Sequence, residues 1–314
     1  MENRIKNYPQ ELFQPVTKEE RDLEQIRRPS LKYWQDVVRR LRQNKLAMLG
    51  LFIIVVMAIM TVVGPRLNEF SYKDQDYAQI NTPPNSTYWF GADELGRDMW
   101  TRVWVGTGYS IIIGVLAAAV DFIIGVTYGG IAGMASRRVD SILMRIAEII
   151  YAIPYLLVVI LLSVAFSDQQ GASLFTLVLA MSITGWVPMA ILVRGQVLQL
   201  KENEYVLAAR SLGANNRYIL KRHIIPNTLG PILVNVTLTI PRAIFAEATL
   251  AYMGLGLQRP LPSLGVLAND GIKVISVGIM YQLLFPALFI SLIMFAFNVF
   301  GDGLRDALDP RLRK

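Results

Sequence analysis

Few residues in this sequence have types and spacings suited to chemistry. There is one histidine, His223, and no cysteine. That composition leaves no disulfide framework, no thiolate metal site and no second imidazole to share a metal. No GxxxxGK[ST] string occurs to cradle nucleotide phosphates, and nothing resembles a Ser–His–Asp arrangement. No metal site and no catalytic residue are therefore expected, and the chain does not read as an enzyme. What remains is a handful of ionisable residues inside long apolar stretches. Asp121, Arg242 and Glu247 lie furthest inside, with Arg145 and Glu148 near one end. Each is costly in lipid and should face a bundle interior, a partner or water. Arg145 and Glu148, three apart, can pair on one helix face. Asp121 and Glu247 are the candidates to line or flank a polar passage. A proton relay is the competing idea, but no chain of acids and histidines accompanies them.

The elements that must position these residues are membrane helices. With 314 residues, 53% of them hydrophobic, and a mean hydropathy of +0.39, the chain is too apolar for a typical soluble protein. The apolar run 46–63 covers about 27 Å as a helix, enough to cross the hydrocarbon core. Five further spans are expected at about 109–134, 142–166, 174–193, 229–252 and 282–300. The predicted fold class is an all-α integral membrane protein with six transmembrane helices. Residues 1–45 read as a polar tail without the pattern of a signal peptide. Its last part, from about 31 to 45, is a basic amphipathic helix suited to the headgroup region of the lipid bilayer. The remainder divides into span 46–63, an external segment 64–107, a five-helix unit 108–301 and a tail 302–314.

The net charge of +7 does not indicate nucleic acid, because no basic, aromatic-interleaved face stands apart from the apolar segments. Instead the charge sorts by side. With the N-terminus inside, 24 of the 31 Lys and Arg fall on inner segments and six on outer ones. By the positive-inside rule both termini are cytoplasmic.

Within the spans, Gly125, Gly129 and Gly133 recur every fourth residue, a pattern that lets helix backbones approach closely. Pro154, Pro188, Pro241 and Pro286 are expected to interrupt or bend the later spans. The external segment ends in FGADELGRDMW, where Asp93, Arg97 and Asp98 with two glycines can form a charge-paired turn or contact a partner. The stretch 204–227, EYVLAARSLGANNRYILKRHIIPN, reads as helix, break, helix on the inner side. Tyr205, Ala208, Ala209 and Leu212 share one small apolar face. Gly213 stops the first helix, Asn215 or Asn216 caps a second, and Pro226 interrupts the pattern before the next span. Such a knob suits docking into another protein; an ordinary polar loop is the plainer account.

This stretch resembles the coupling loop of bacterial ABC importer permeases, Glu-Ala-Ala-x3-Gly-x9-Ile-x-Leu-Pro. Ala208, Ala209, Gly213 and Pro226 match, whereas Leu207, His223 and Ile225 stand where the motif has Glu, Ile and Leu. The strings GADELGRD (91–98), GLGLQRPLPSLG (254–265) and GDGLRDALDPRL (301–312) are similar to the dipeptide, oligopeptide and nickel subgroup. Among these the chain is most similar to the C-type permeases of oligopeptide transporters. The resemblance implies a multi-pass protein of the bacterial cell membrane that forms half of a translocation pathway. The implied partners are a second related permease, two ATP-binding subunits and an external substrate-binding protein, with ATP and Mg held by the ATPase subunits and no cofactor on this chain. It further implies that loop 201–227 contacts an ATPase through Glu204, Tyr205, Ala208, Ala209, Leu212, Gly213, Ala214 and Arg217. Two other classes stay open, an ion-gradient-driven secondary transporter and a structural membrane scaffold. The former usually shows paired repeats, and no convincing repeat is visible here.

Overall fold

The computed structural model describes residues 33–165 and 173–309. Residues 1–32 of the predicted tail 1–45, including Leu31 of the amphipathic helix, lie outside the described residues, as do Phe166 at the end of the third expected span and Arg311. The described chain is helical throughout, apart from turns and one isolated bridge between Ala92 and Asp98. Helix α1 (Tyr33–Gln43) is amphipathic and buries Val37 against Ala307 and Leu308 near the other end of the chain. Asn44 separates it from α2 (Lys45–Val63) and caps that helix by accepting from the Ala47 N–H at 3.1 Å.

After an irregular segment come α3 (Met99–Met134), the broken pair α4 (Arg137–Ala152) and α5 (Tyr155–Ala165), and α6 (Ser173–Leu200). Two short helices, α7 (Glu204–Ser211) and α8 (Asn216–Ile219), lead into α9 (Ile225–Tyr252). The chain closes with α10 (Leu264–Val274) and α11 (Tyr281–Leu308). Five stretches are long and apolar enough to cross a membrane, and α4 with α5 makes a sixth if the bent pair counts as one span.

Several expectations need correction. The second span begins at Met99, about ten residues before the expected Tyr109, because Asp98 caps it there. The third is not one straight helix: α4 and α5 meet at 72° at Pro154. Ile153, which precedes that proline, is extended rather than helical, as residues before proline prefer. Pro226 does not end a helix. The chain is continuous from Asn216 to Tyr252 through a π-turn at Leu220–Ile224, where the Ile225 N–H donates to the Leu220 carbonyl. The ladder has already changed register one residue before the proline, whose missing N–H therefore breaks little. Pro188, Pro241 and Pro286 likewise sit inside continuous helices. The predicted tail from 302 is also helical as far as Leu308, as a continuation of α11.

The central packing is α3 against α6. A Cβ at Gly125 would lie 2.6 Å from Met189 Cβ, and one at Gly133 would lie 2.6 Å from Val197 Cβ. At Gly129 it would collide with the Ala190 carbonyl, so the backbones nearly touch there. An Arg194–Asp140 fork (2.6 and 2.7 Å) ties α6 to α4, and Lys201 donates to the Gly133 carbonyl at 3.1 Å.

Gly129→Val should force α3 and α6 apart and destabilise the protein by about 1–3 kcal/mol, the usual range for overpacking. Thermal unfolding in detergent should show the loss. Gly195→Ala, with open space at the added Cβ, should leave the melting temperature unchanged or slightly raised.

Candidate functional site

The loop 201–227 is an exposed double turn pinned from beneath. Val206, Ile219 and Ile224 are fully buried and pack with Val193, Val197 and Ile232 of the bundle. Around these anchors the surface is open. Glu204 opens α7, and Tyr205, Ala208, Leu212 and Arg217 are exposed, Leu212 at 89%. Ala209 and Ala214 are half-buried against the anchors. Gly213 has φ +86° with nothing within 4 Å of an added Cβ, so backbone conformation and not crowding calls for glycine. Asn215, not Asn216, caps α8, accepting from the Tyr218 N–H at 2.8 Å. The face Tyr205–Ala208–Leu212 is thus presented outward, while the unremarked Val206 fastens the helix.

The turn 91–98 is held by charge. Asp93 Oδ2 lies 2.7 Å from Arg97 Nε and 3.2 Å from Arg102 Nε, and all three side chains are buried. Asp93 Oδ1 also accepts from the N–H groups of Leu95 and Arg97. Asp98 does not join this cluster. It caps α3 at the Thr101 N–H (2.8 Å) and accepts from Asn68 Nδ2 at 2.8 Å. Gln282 Nε2 reaches Asn81 Oδ1 (2.8 Å) and the Ala92 carbonyl (3.0 Å), so the turn is stitched to the start of α11.

Asp121 and Glu247 occupy different settings. Asp121, 7% exposed, lines a cavity of about 310 Å³ among α3, α5, α6 and α9, together with Tyr155, Thr184, Asn235, Thr239 and Arg242. Glu247 is fully buried outside that lining. It accepts from Ser263 Oγ at 2.5 Å and Ser110 Oγ at 3.2 Å, and Ser110 in turn accepts from the Leu264 N–H. This joins α3 and α9 to the cap of α10. Arg145 and Glu148 pair at 3.3 Å on an exposed face of α4.

Residues 125–314 match the family described as the binding-protein-dependent transport system inner membrane component. The chain belongs to this family. Residues 32–84 match the N-terminal transmembrane domain of oligopeptide transport permease C. This inner-membrane component is 52% identical over 306 residues to the dipeptide transport system permease protein DppC of Bacillus subtilis, covering 98% of this chain and 94% of that protein. It is 49% identical to the oligopeptide transport system permease protein OppC of the same organism, over 99% of this chain and all of the other. Identity to OppC of Escherichia coli is 39%, over 89% and 92% of the two chains.

Several residues that build these sites carry no local mark. Arg102, Ser110, Ser263 and Gln282 meet partners far away in the chain, and Asp140 and Arg194 are 54 positions apart.

Removing the acid of the 91–98 cluster should leave two buried guanidinium groups uncompensated. Asp93→Ala is expected to lose about 3–5 kcal/mol, read as a large drop in the detergent melting temperature. Arg145→Ala, which breaks an exposed pair, should change stability by less than about 1 kcal/mol.

Proposed function

We propose that this chain is one of two transmembrane subunits of an ATP-driven importer of short peptides, with both termini and the loop 201–227 on the cytoplasmic side. Its partners are a second, related permease, two ATP-binding subunits that hold ATP and Mg, and an external binding protein that delivers the peptide. The chain itself holds no nucleotide and supplies half of the pathway, with Asp121 on the cavity wall and Glu247 behind it. The turn at Asp93, Arg97 and Asp98 is on the external side.

The observation that carries this reading is the anchored and exposed double turn, in a chain of this family. Three fully buried aliphatic side chains fasten the loop to α6 and α9, so a push on it reaches the spans without being absorbed by a floppy connection. Small residues, Ala208 and Gly213, sit on its open side, where another protein can approach closely. The long helices also leave much apolar surface uncovered; only 17% of the α2 window is buried within the chain, which suits lipid and a second subunit. Peptide as the cargo follows from the relatives, whose names specify dipeptides and oligopeptides. Dipeptide is the second reading, favoured by the 52% identity to a dipeptide permease.

Alternating access then requires ATP-driven closure of the partner subunits to move the loop and reorient the bundle. Gly213→Leu strains the loop backbone without a steric clash, and Ala208→Trp blocks close approach. Both variants should insert and assemble in the complete transporter, yet lose at least about tenfold in peptide uptake per ATP hydrolysed, a ratio measured in reconstituted vesicles. Unchanged ratios would count against coupling through this loop. Because the chain lacks cysteine, Leu212→Cys is a clean topology probe. An impermeant maleimide should label it in inverted membrane vesicles and not in right-side-out ones.

A further inference from the structure

The cavity among α3, α5, α6 and α9 holds two opposite charges that do not meet. Asp121 is 93% shielded, yet its Oδ1 has no hydrogen-bond partner. Arg242 lines the same cavity, and no carboxylate lies within ion-pair distance of it among the described residues. A buried hydroxyl, that of Tyr155, is also unpartnered on this wall. These are expensive groups to leave unsatisfied at membrane depth. Other buried acids each have at least one partner: Glu247 has two serines, Asp93 two arginines, Asp98 the Thr101 N–H and Asn68, and Asp270 Arg259 and Lys273, although one oxygen of Asp98 and one of Asp270 is unpartnered. The space for the Asp121 carboxylate is itself built. Its oxygens lie 2.8 Å from where a Cβ would stand at Gly185, so any larger residue there would displace it. Pro188, one turn further on, cannot donate to the Thr184 carbonyl, and both residues line the cavity. Asn235 and Thr239, one turn apart on α9, add an amide and a hydroxyl able to meet a peptide bond.

We propose that this cavity is a transit subsite for a short zwitterionic peptide, in which Asp121 receives the ammonium group and Arg242 the carboxylate. A ligand with both charges answers both unsatisfied groups at once, whereas a simple cation or anion answers one. The volume, about 310 Å³, is at the small end of ligand cavities and suits a peptide of two or three residues, or the end of a longer one. Arg242 is exposed at the mouth and Asp121 is enclosed; the ammonium end is therefore held deeper.

This subsite rests on the peptide-import reading, and the test separates the two. The complete transporter, with its second permease, ATPases and binding protein, is reconstituted in liposomes, and trialanine uptake per ATP hydrolysed is measured. A wild-type complex that hydrolyses ATP and moves no trialanine overturns peptide import, and the subsite with it. Given wild-type uptake, D121N and R242Q should each lower the ratio about tenfold or more, the scale of a charge-assisted hydrogen bond. R242K should recover most of the loss. A wild-type ratio in either D121N or R242Q overturns the subsite while leaving peptide import standing. If D121N fails to co-elute with its partners, R242Q and R242K decide alone, since the exposed Arg242 has no described partner to lose: a fall with recovery supports the subsite, and any other result overturns it.

Discussion

Helices in hydrocarbon gain little hydrophobic stabilisation by touching, since lipid tails cover their apolar faces equally well. Close backbone approach has to supply the attraction through dispersion and fit. In this chain that approach is concentrated where α3 meets α6, along Gly125, Gly129 and Gly133. The rest depends on it. The far end of α6 carries the Arg194–Asp140 fork and the Lys201 contact to Gly133, and the anchors of loop 201–227 pack on Val193 and Val197 just above. Farther along the same two helices, Gly185 makes room for Asp121. One interhelical distance therefore sets the position of both the loop 201–227 and the internal cavity.

Polar groups are distributed unevenly around this frame. At the end near residues 91–98, buried charge is paired: Asp93 serves two arginines and two backbone N–H groups, and Gln282 ties that turn to α11. Phe90 stacks on Phe285 with centroids 3.9 Å apart, and Trp100 donates to the Gly64 carbonyl, so aromatic packing reinforces the same junction. Both oxygens of Asp93 are thus answered, although Asp98 Oδ1 and Gln282 Oε1 at this junction have no hydrogen-bond partner. Around Asp121 and Arg242 the network is open: Asp121 Oδ1 has no hydrogen-bond partner, and no carboxylate among the described residues pairs with Arg242. A charge-paired end, an open cavity and a pinned, exposed loop are thus distinct parts of one bundle.

Much of this was legible in the residues themselves. Spans, the glycine stripe, the αL stop at Gly213 and a cap at Asn215 or Asn216 are local effects. Each follows from hydropathy, absent side-chain bulk or a single backbone preference acting over at most a few turns. The pairing of Arg145 with Glu148 and of Arg97 with Asp93 is local for the same reason. Prolines were ambiguous, because their effect depends on what surrounds the freed carbonyl. Pro154 breaks its helix at 72°, while Pro226 follows a π-turn without a break. The tertiary structure alone separated Asp121 from Glu247, which look alike in sequence as single acids in apolar runs. One has serines from two other segments as partners, and the other has none. Whether a buried charge is answered depends on residues from other segments, here 16 and 137 positions away, and no spacing along the chain records that meeting.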